Sequence, residues 1–272
     1  MKNELFDIQD KVVLITGAGG VLGRGMSRYL ADQGAKVVVT DRSRELADGS
    51  AEAVKCDGGC AMGLELDALD RTSIERALQH VEKEWGWIDI LINAAGGNNP
   101  KATANADMSF FDIPEDAMRF VVELNLMGSL IPSQIIGKHM VERERGTILN
   151  ISSMNSFRPL TRIVGYSAAK AAINNFTQWL AVHLAQEYSP DIRVNAIAPG
   201  FFETNQNKFL LRESDGGLTQ RGQQIIDHTP QGRFGDPEDL FGTLHWLVSD
   251  ASKFVTGIVV PVDGGFSAFS GV

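Results

Sequence analysis

Residues 12–25 read VVLITGAGGVLGRG and residues 36–41 read KVVVTD, and these two runs decide the fold. Val12–Thr16 is short, apolar and rich in β-branched residues, the pattern of a strand buried on both faces. It leads into a glycine-rich turn, then a helical pattern over Met26–Gln33 that Gly34 stops, then a second strand ending at Asp41. Strand, glycine turn, helix, strand and acid in that order form a dinucleotide-binding layout. Gly17, Gly19 and Gly23 permit a tight turn and close approach of a ligand to the backbone; Gly20, Val21 and Leu22 fill the last gap between them. The helix N-terminus then offers N–H groups and the positive end of its dipole to a pyrophosphate. A carboxylate at the end of the second strand can accept both ribose hydroxyls of NAD and repel the 2′-phosphate of NADP. Asp41 therefore predicts NAD, while Arg42 and Arg24 could each reach a 2′-phosphate and keep NADP open. The same acid would also serve as an ordinary turn or helix cap.

A second constellation lies in residues 153–170, SMNSFRPLTRIVGYSAAK. From Gly165 onward small, helix-forming residues run on unbroken, which places Tyr166 and Lys170 one turn apart on one face. Ser153 closes the strand-like run GTILNISS, at the strand end where ligands lie in open α/β sheets. A free tyrosine titrates near 10, but a cation about 4 Å away at an effective dielectric of about 20 is worth on the order of 4 kcal/mol. That is roughly three pKa units, enough to bring the phenol near 7 for acid–base work. The three groups together predict proton transfer to or from a substrate oxygen.

The remaining runs extend the same pattern. A third strand, AMGLEL, ends at Asp67 and precedes a helix from about Arg71 (capped by Asp70 or Thr72) to Trp85–Gly86. A fourth, WIDILIN, ends in Asn93-Ala94-Ala95-Gly96, and a polar loop through Asn98 to Pro100 follows, within reach of a substrate. After Pro114 a long apolar helix carries Asn125, either as a polar residue satisfied in the core or as one that holds a water or a local kink. The helix from Gly165 to about Tyr188 has small residues suited to close packing, including with a second subunit, and His183 reads as a surface or packing residue on it. A sixth strand, IRVNAIA, ends at Pro199-Gly200. Residues 201–233 are polar, contain Gly216-Gly217, and read as a mobile flap over a site. Asp236-Pro237 starts the next helix and GIVVPV is the last strand. Seven strands alternating with helices predict one α/β domain spanning 1–272, a doubly wound Rossmann-type parallel sheet with helices on both faces.

Composition narrows the partners. The chain has 272 residues, 43% apolar and 22% charged, with a net charge of −9 and no long Lys/Arg run. That balance argues against nucleic acid or an anionic membrane, and leaves room for a small anionic substrate held by a few local cations. The N-terminus has no apolar core of a signal peptide, and the most apolar window, Met118–Ile136, is broken by Glu123, Asn125 and Gln134. Cys56 and Cys60 are the only cysteines and read as free thiols of a cytoplasmic protein, with no metal site expected.

Taken together, TGAGGVLG, Asp67, NAAG, Asn125, Ser153, Tyr166-x-x-x-Lys170, Pro199-Gly200 and the terminal VDGG resemble the short-chain dehydrogenases/reductases, in the family's order over nearly the whole chain. One departure is Val21, where the family's turn has a glycine. The resemblance implies Tyr166 as general acid/base, Lys170 as the residue that lowers its pKa and binds the nicotinamide ribose, and Ser153 as the group that polarises the carbonyl. It implies Asn125 as a water anchor, Asp67 as an adenine contact, and Asn93, Ala94 and Gly96 as the cofactor trough. Pro199, Gly200 and Thr204 would border the nicotinamide. The runs GGNNPKAT, ISSMNSFRPLTR and APGFFETNQNKFLL further resemble members that interconvert D-mannonate and D-fructuronate. Substrate contacts are then expected from Asn98, Asn155, Phe201, Arg158 and Arg162, with at least one of the two arginines on the carboxylate and Lys101 and Arg233 as second choices. Gluconate 5-dehydrogenase and 3-oxoacyl-carrier-protein reductase are the neighbouring activities, a non-catalytic dinucleotide sensor is the rival of another class, and a homo-oligomer, dimer or tetramer, is expected.

Overall fold

The computed structural model describes residues 4–204 and 208–271. Strands β1 (Val12–Thr16), β2 (Lys36–Asp41), β3 (Cys60–Glu65), β4 (Ile90–Asn93), β5 (Gly146–Ile151), β6 (Ile192–Pro199) and β7 (Val259–Val262) form one sheet in the order β3-β2-β1-β4-β5-β6-β7. Every pairing is parallel. The chain winds outward from β1 to β3, then crosses to β4 on the other side of β1. That reversal leaves a crevice at the C-terminal ends of β1 and β4, where α/β sheets bind ligands.

All five residues of β1 are buried, because helices cover both faces of the sheet. Val13 and Ile15 pack into the cluster that holds α1 (Val21–Asp32), α2 (Arg44–Cys56) and α9 (Phe241–Val248). Val12 and Leu14 point the other way, toward α3 (Arg71–Trp85), α5 (Gly128–Glu142) and α6 (Val164–Glu187). The period of two along the strand thus becomes a two-faced core.

Several segments differ from the sequence reading. α1 begins at Val21 rather than Met26, since Gly23 and Gly25 are tolerated inside a helix that packs tightly. α2 fills residues 44–56, where no element was expected; Ser43 opens it by accepting from Leu46 N (3.3 Å). The long helix after Pro114 is α4 (Glu115–Val122), a π-helical turn at Glu123–Met127 containing Asn125, and α5. Residues 115–142 are long and apolar enough to cross a bilayer, yet half of their most apolar window is buried within the fold. Within 201–233 lie two short helices, α7 (Lys208–Leu211) and α8 (Gln220–Asp227), joined by a bridge between Arg212 and Leu218. Cys56 and Cys60 are exposed free thiols.

Candidate active site

The crevice is an open cleft of about 470 Å³. Its wall carries Gly17, Gly19, Gly20, Val21, Leu22 and Gly23 at one end and Ser153, Tyr166 and Lys170 at the other. Ala94, Gly96, Pro199, Gly200 and Thr204 also line it.

Steric demand explains the glycines. Gly17 has φ +64°, and a Cβ there would stand 2.8 Å from Ala95 Cα. A Cβ on Gly23 would stand 2.6 Å from Ala18 Cα. Gly20 is the N-cap of α1 and offers no capping side chain, so the first N–H groups of the helix are left for a ligand. Val21 is the first helical residue and has no left-handed φ, so this position accepts a side chain. Thr16 Oγ1 accepts from both Ala94 N and Ala95 N (3.1 Å each), which fixes the NAAG segment against the glycine turn.

Asp41 joins the two readings made of it. Its carboxylate accepts from Gly19 N (3.1 Å) and Ser43 N (2.9 Å), bracing the glycine turn, and a carboxylate has further lone pairs for a ribose. Arg42 is exposed and outside the wall, whereas Arg24 lines it. Asp67 caps its own turn by accepting from Leu69 N (2.9 Å) and does not line the cleft. Asn93 also departs from expectation: its side chain lies in the core, donating to Ser133 Oγ (2.9 Å) and Asn150 Oδ1 (2.8 Å). Asn150 is its neighbour across the strands and Ser133 lies on α5, so the side chain stands on the α5 face of the sheet.

At the other end, α6 presents Tyr166 half-buried and Lys170 buried. Lys170 Nζ donates to Ile151 O (2.7 Å) and lies 5.7 Å from the centre of the Tyr166 ring. Burial lowers the Lys170 pKa to about 8. Burial also raises the Tyr166 phenol above its ordinary value, with a hydrogen bond from Ser153 working against the rise. The expected lowering toward 7 is therefore not present: desolvation outweighs the hydrogen bond from Ser153. Near neutral pH the phenol is a protonated donor.

Asn125 is fully buried in its π-helical turn. Nδ2 donates to Gly97 O (2.7 Å) and Val121 O (2.8 Å), and Oδ1 accepts from Gly97 N (3.1 Å). Both side-chain N–H groups are used, so the side chain clamps the loop after NAAG. Gly96 must be small, because a Cβ would meet Asn125 Oδ1 at 2.8 Å and Lys170 Nζ at 3.3 Å.

The expected substrate contacts are scattered. Asn98 is exposed and donates to Thr103 Oγ1 (2.9 Å). Asn155 is buried with Oδ1 unpartnered, and Phe201 packs edge-on against Phe266. Arg158 donates to Ser267 O (3.0 Å), and Arg233 is bound by Asp239 through two hydrogen bonds (2.6 and 2.7 Å). Arg162 and Lys101 make no ion pair among the described residues. Met26, Leu46, Gly97, Ile151, Ser152 and Phe202 line the cleft without having been singled out; for Ser152 and Phe202, adjacency to Ser153 and Phe201 was the available signal.

A family model for enoyl-(acyl carrier protein) reductases matches residues 17–267. The uncharacterized oxidoreductase UxuB of Bacillus subtilis is 46% identical over 275 residues, covering 98% of each chain. A crystal structure of a provisionally assigned D-mannonate oxidoreductase from Haemophilus influenzae, with bound NAD, is 45% identical with TM-score 0.92 and 98% of each chain covered. A gluconate 5-dehydrogenase from Burkholderia cenocepacia, in complex with NADP and tartrate, is 31% identical with TM-score 0.87, again over 98% of each chain.

Proposed function

The chain belongs to the short-chain dehydrogenase/reductase family, and from that premise we propose that it interconverts D-fructuronate and D-mannonate with NAD(H). One observation carries the reading: a protonated phenol, a hydroxyl and a buried cation meet at one end of a cleft whose other end is a glycine cradle. The residues fit a dinucleotide, since Gly17 and Gly23 let the turn pack directly on the backbone of Ala95 and Ala18, and the α1 N-terminus has no side-chain cap. Gly17, Gly19, Gly20 and the first turn of α1 would hold the pyrophosphate, Asp41 the adenosine ribose, and Lys170 and Tyr166 the nicotinamide end. Bound there, the cofactor supplies or accepts the hydride.

In reduction, the Ser153 hydroxyl donates to the substrate carbonyl oxygen and favours the charge that develops on it. Tyr166 gives its proton to that oxygen, which its raised pKa allows near neutral pH. The ammonium of Lys170 offsets the phenolate left behind, and Asn125 keeps the Gly96–Gly97 backbone in place behind it. In oxidation the same groups act in reverse. NAD is favoured because Asp41 stands where a 2′-phosphate would lie, a preference supported by the NAD-bound Haemophilus relative. The segment 201–233 serves as the cap over the substrate, within a single domain. Exposed Trp179 and Val182 on α6 and Phe120 on α4 favour a homo-oligomer.

Gluconate 5-dehydrogenase is the second reading, supported by the Burkholderia relative. The test is NADH oxidation with D-fructuronate, D-tagaturonate and 5-keto-D-gluconate. The proposal expects the highest kcat/KM with D-fructuronate. A maximum with 5-keto-D-gluconate moves the substrate; reduction of acetoacetyl thioesters alone favours the acyl-carrier activity; NADH binding without oxidation marks a sensor.

A further inference from the structure

A keto-sugar acid reduced at one end carries its carboxylate several bonds from the reacting carbonyl, so its cation must come from across the cleft. An apolar seam holds the Ser153–Tyr166 loop against the cap: Met154 and Leu160 pack with Leu211, Leu218, Ile225 and Ile226. Arg162 follows Leu160 by two residues, in a left-handed backbone conformation (φ 79°) uncommon outside glycine. Arg221 lies one turn before Ile225 on α8, on the same helix face. The seam thus delivers two guanidinium groups from different segments to its rim, Arg162 exposed and Arg221 half-buried.

Among the described residues, Arg162 and Arg221 make no ion pair and no side-chain hydrogen bond, whereas Arg158, Arg212 and Arg233 each have a partner. Burial, and after it the charge of Arg162, holds the Arg221 guanidinium below the ordinary arginine range. Arg221 also stands in the first turn of α8, where the helix dipole disfavours a cation. Two cations at the rim of one seam, with no acid paired to either among the described residues of a chain of net charge −9, make a place for an anion. A carboxylate fits it, because each planar fork can donate two parallel hydrogen bonds.

We infer that Arg221, acting with Arg162, binds the substrate carboxylate and sets the preference for keto acids over neutral ketones, an inference that rests on the keto-sugar-acid reading above.

The test compares D-fructuronate with D-fructose, its uncharged counterpart, in the parent and in Arg221→Met, Arg162→Met and Arg221→Lys. Arg221→Met should lower kcat/KM for D-fructuronate by at least about a hundredfold, the scale of losing a desolvated charge partner. KM for NADH and the rate with D-fructose should stay within about twofold. Arg162→Met should act in the same direction, and Arg221→Lys should recover part of the loss. Equal losses on both substrates, or none, overturn the assignment. If the parent prefers 5-keto-D-gluconate, the substrate reading fails and the same ratio, measured with that acid, decides the clamp. If an acetoacetyl thioester carrying a pantetheine phosphate is the substrate whose turnover falls, the anion is a phosphate and the carboxylate assignment is wrong.

Discussion

At one end of the cleft Gly17, Gly20 and Gly23 expose bare backbone, while at the other Ser153, Tyr166 and Lys170 converge as side chains. The glycine end is held by close contacts, with a Cβ on Gly23 only 2.6 Å from Ala18 Cα. The side-chain end carries features that work against the fold: a buried ammonium and a phenol shifted from its ordinary pKa. Where backbone shape does the work, binding and stability coincide. Where side chains do it, they are set against each other, as expected where charge is kept for chemistry.

Substitutions should separate the two ends. The largest effect is expected from Tyr166→Phe, which deletes the proton donor and should lower kcat by about 10²- to 10⁴-fold. Its thermal midpoint should match the parent's, and a rate within about threefold would break the assigned role. Lys170→Met should lose activity yet gain stability. Burial takes the Lys170 pKa from 10.5 to about 8, so between those values the unfolded chain binds more protons and stability rises with pH. Below about pH 8 the full cost of burying the ammonium is present, on the order of 3 kcal/mol. Losing the bond to Ile151 O offsets about 1 kcal/mol of it. Denaturation at pH 7 should therefore show the Met variant more stable by about 2 kcal/mol, with the advantage gone near pH 10. An equal advantage at both pH values would contradict the buried charge.

Gly23→Ala tests the opposite end. Its Cβ meets backbone, so stability should fall by about 1–3 kcal/mol and NADH affinity should fall with it. Denaturation and NADH titration would both have to match the parent for the steric account to fail. The smallest effect is expected from Asp41→Asn, which keeps an acceptor for the turn and removes the charge. It should shift the NAD-to-NADP ratio of kcat/KM roughly tenfold toward NADP, the size of one modest interaction. A parent with equal ratios would mean that Arg24 outweighs the carboxylate.

The same contrast governed what could be read before the structure. Steric rules tie glycine to fixed backbone shapes, so the turn after β1 and the acid ending β2 were legible from residue types alone. Continuous apolar, β-branched runs, buried on both faces of the sheet, made β1, β2, β4 and β6 plain. α1 was placed late because Gly23 and Gly25 look like breakers, although they are close-packing residues there. α2 was passed over since three of the four residues in its buried stripe, Ala47, Ser50 and Ala51 beside Val54, are too small to announce a core face. The Tyr166 pKa was misjudged because i, i+4 spacing shows adjacency but not the burial that raises it. Asn93 reads like a cleft residue at a strand end, yet the side of the sheet it faces depends on Ser133 and Asn150. Arg221 lies in a polar run and gains meaning only when the cap folds onto Leu160.

The most direct test mixes protein loaded with NADH and excess D-fructuronate and follows NADH absorbance through a single turnover. The account predicts a full-amplitude decay with one equivalent of D-mannonate formed, and the same decay slowed by two orders of magnitude or more in Tyr166→Phe. NADH that binds but is not consumed, or a decay unchanged in the Phe variant, would contradict it.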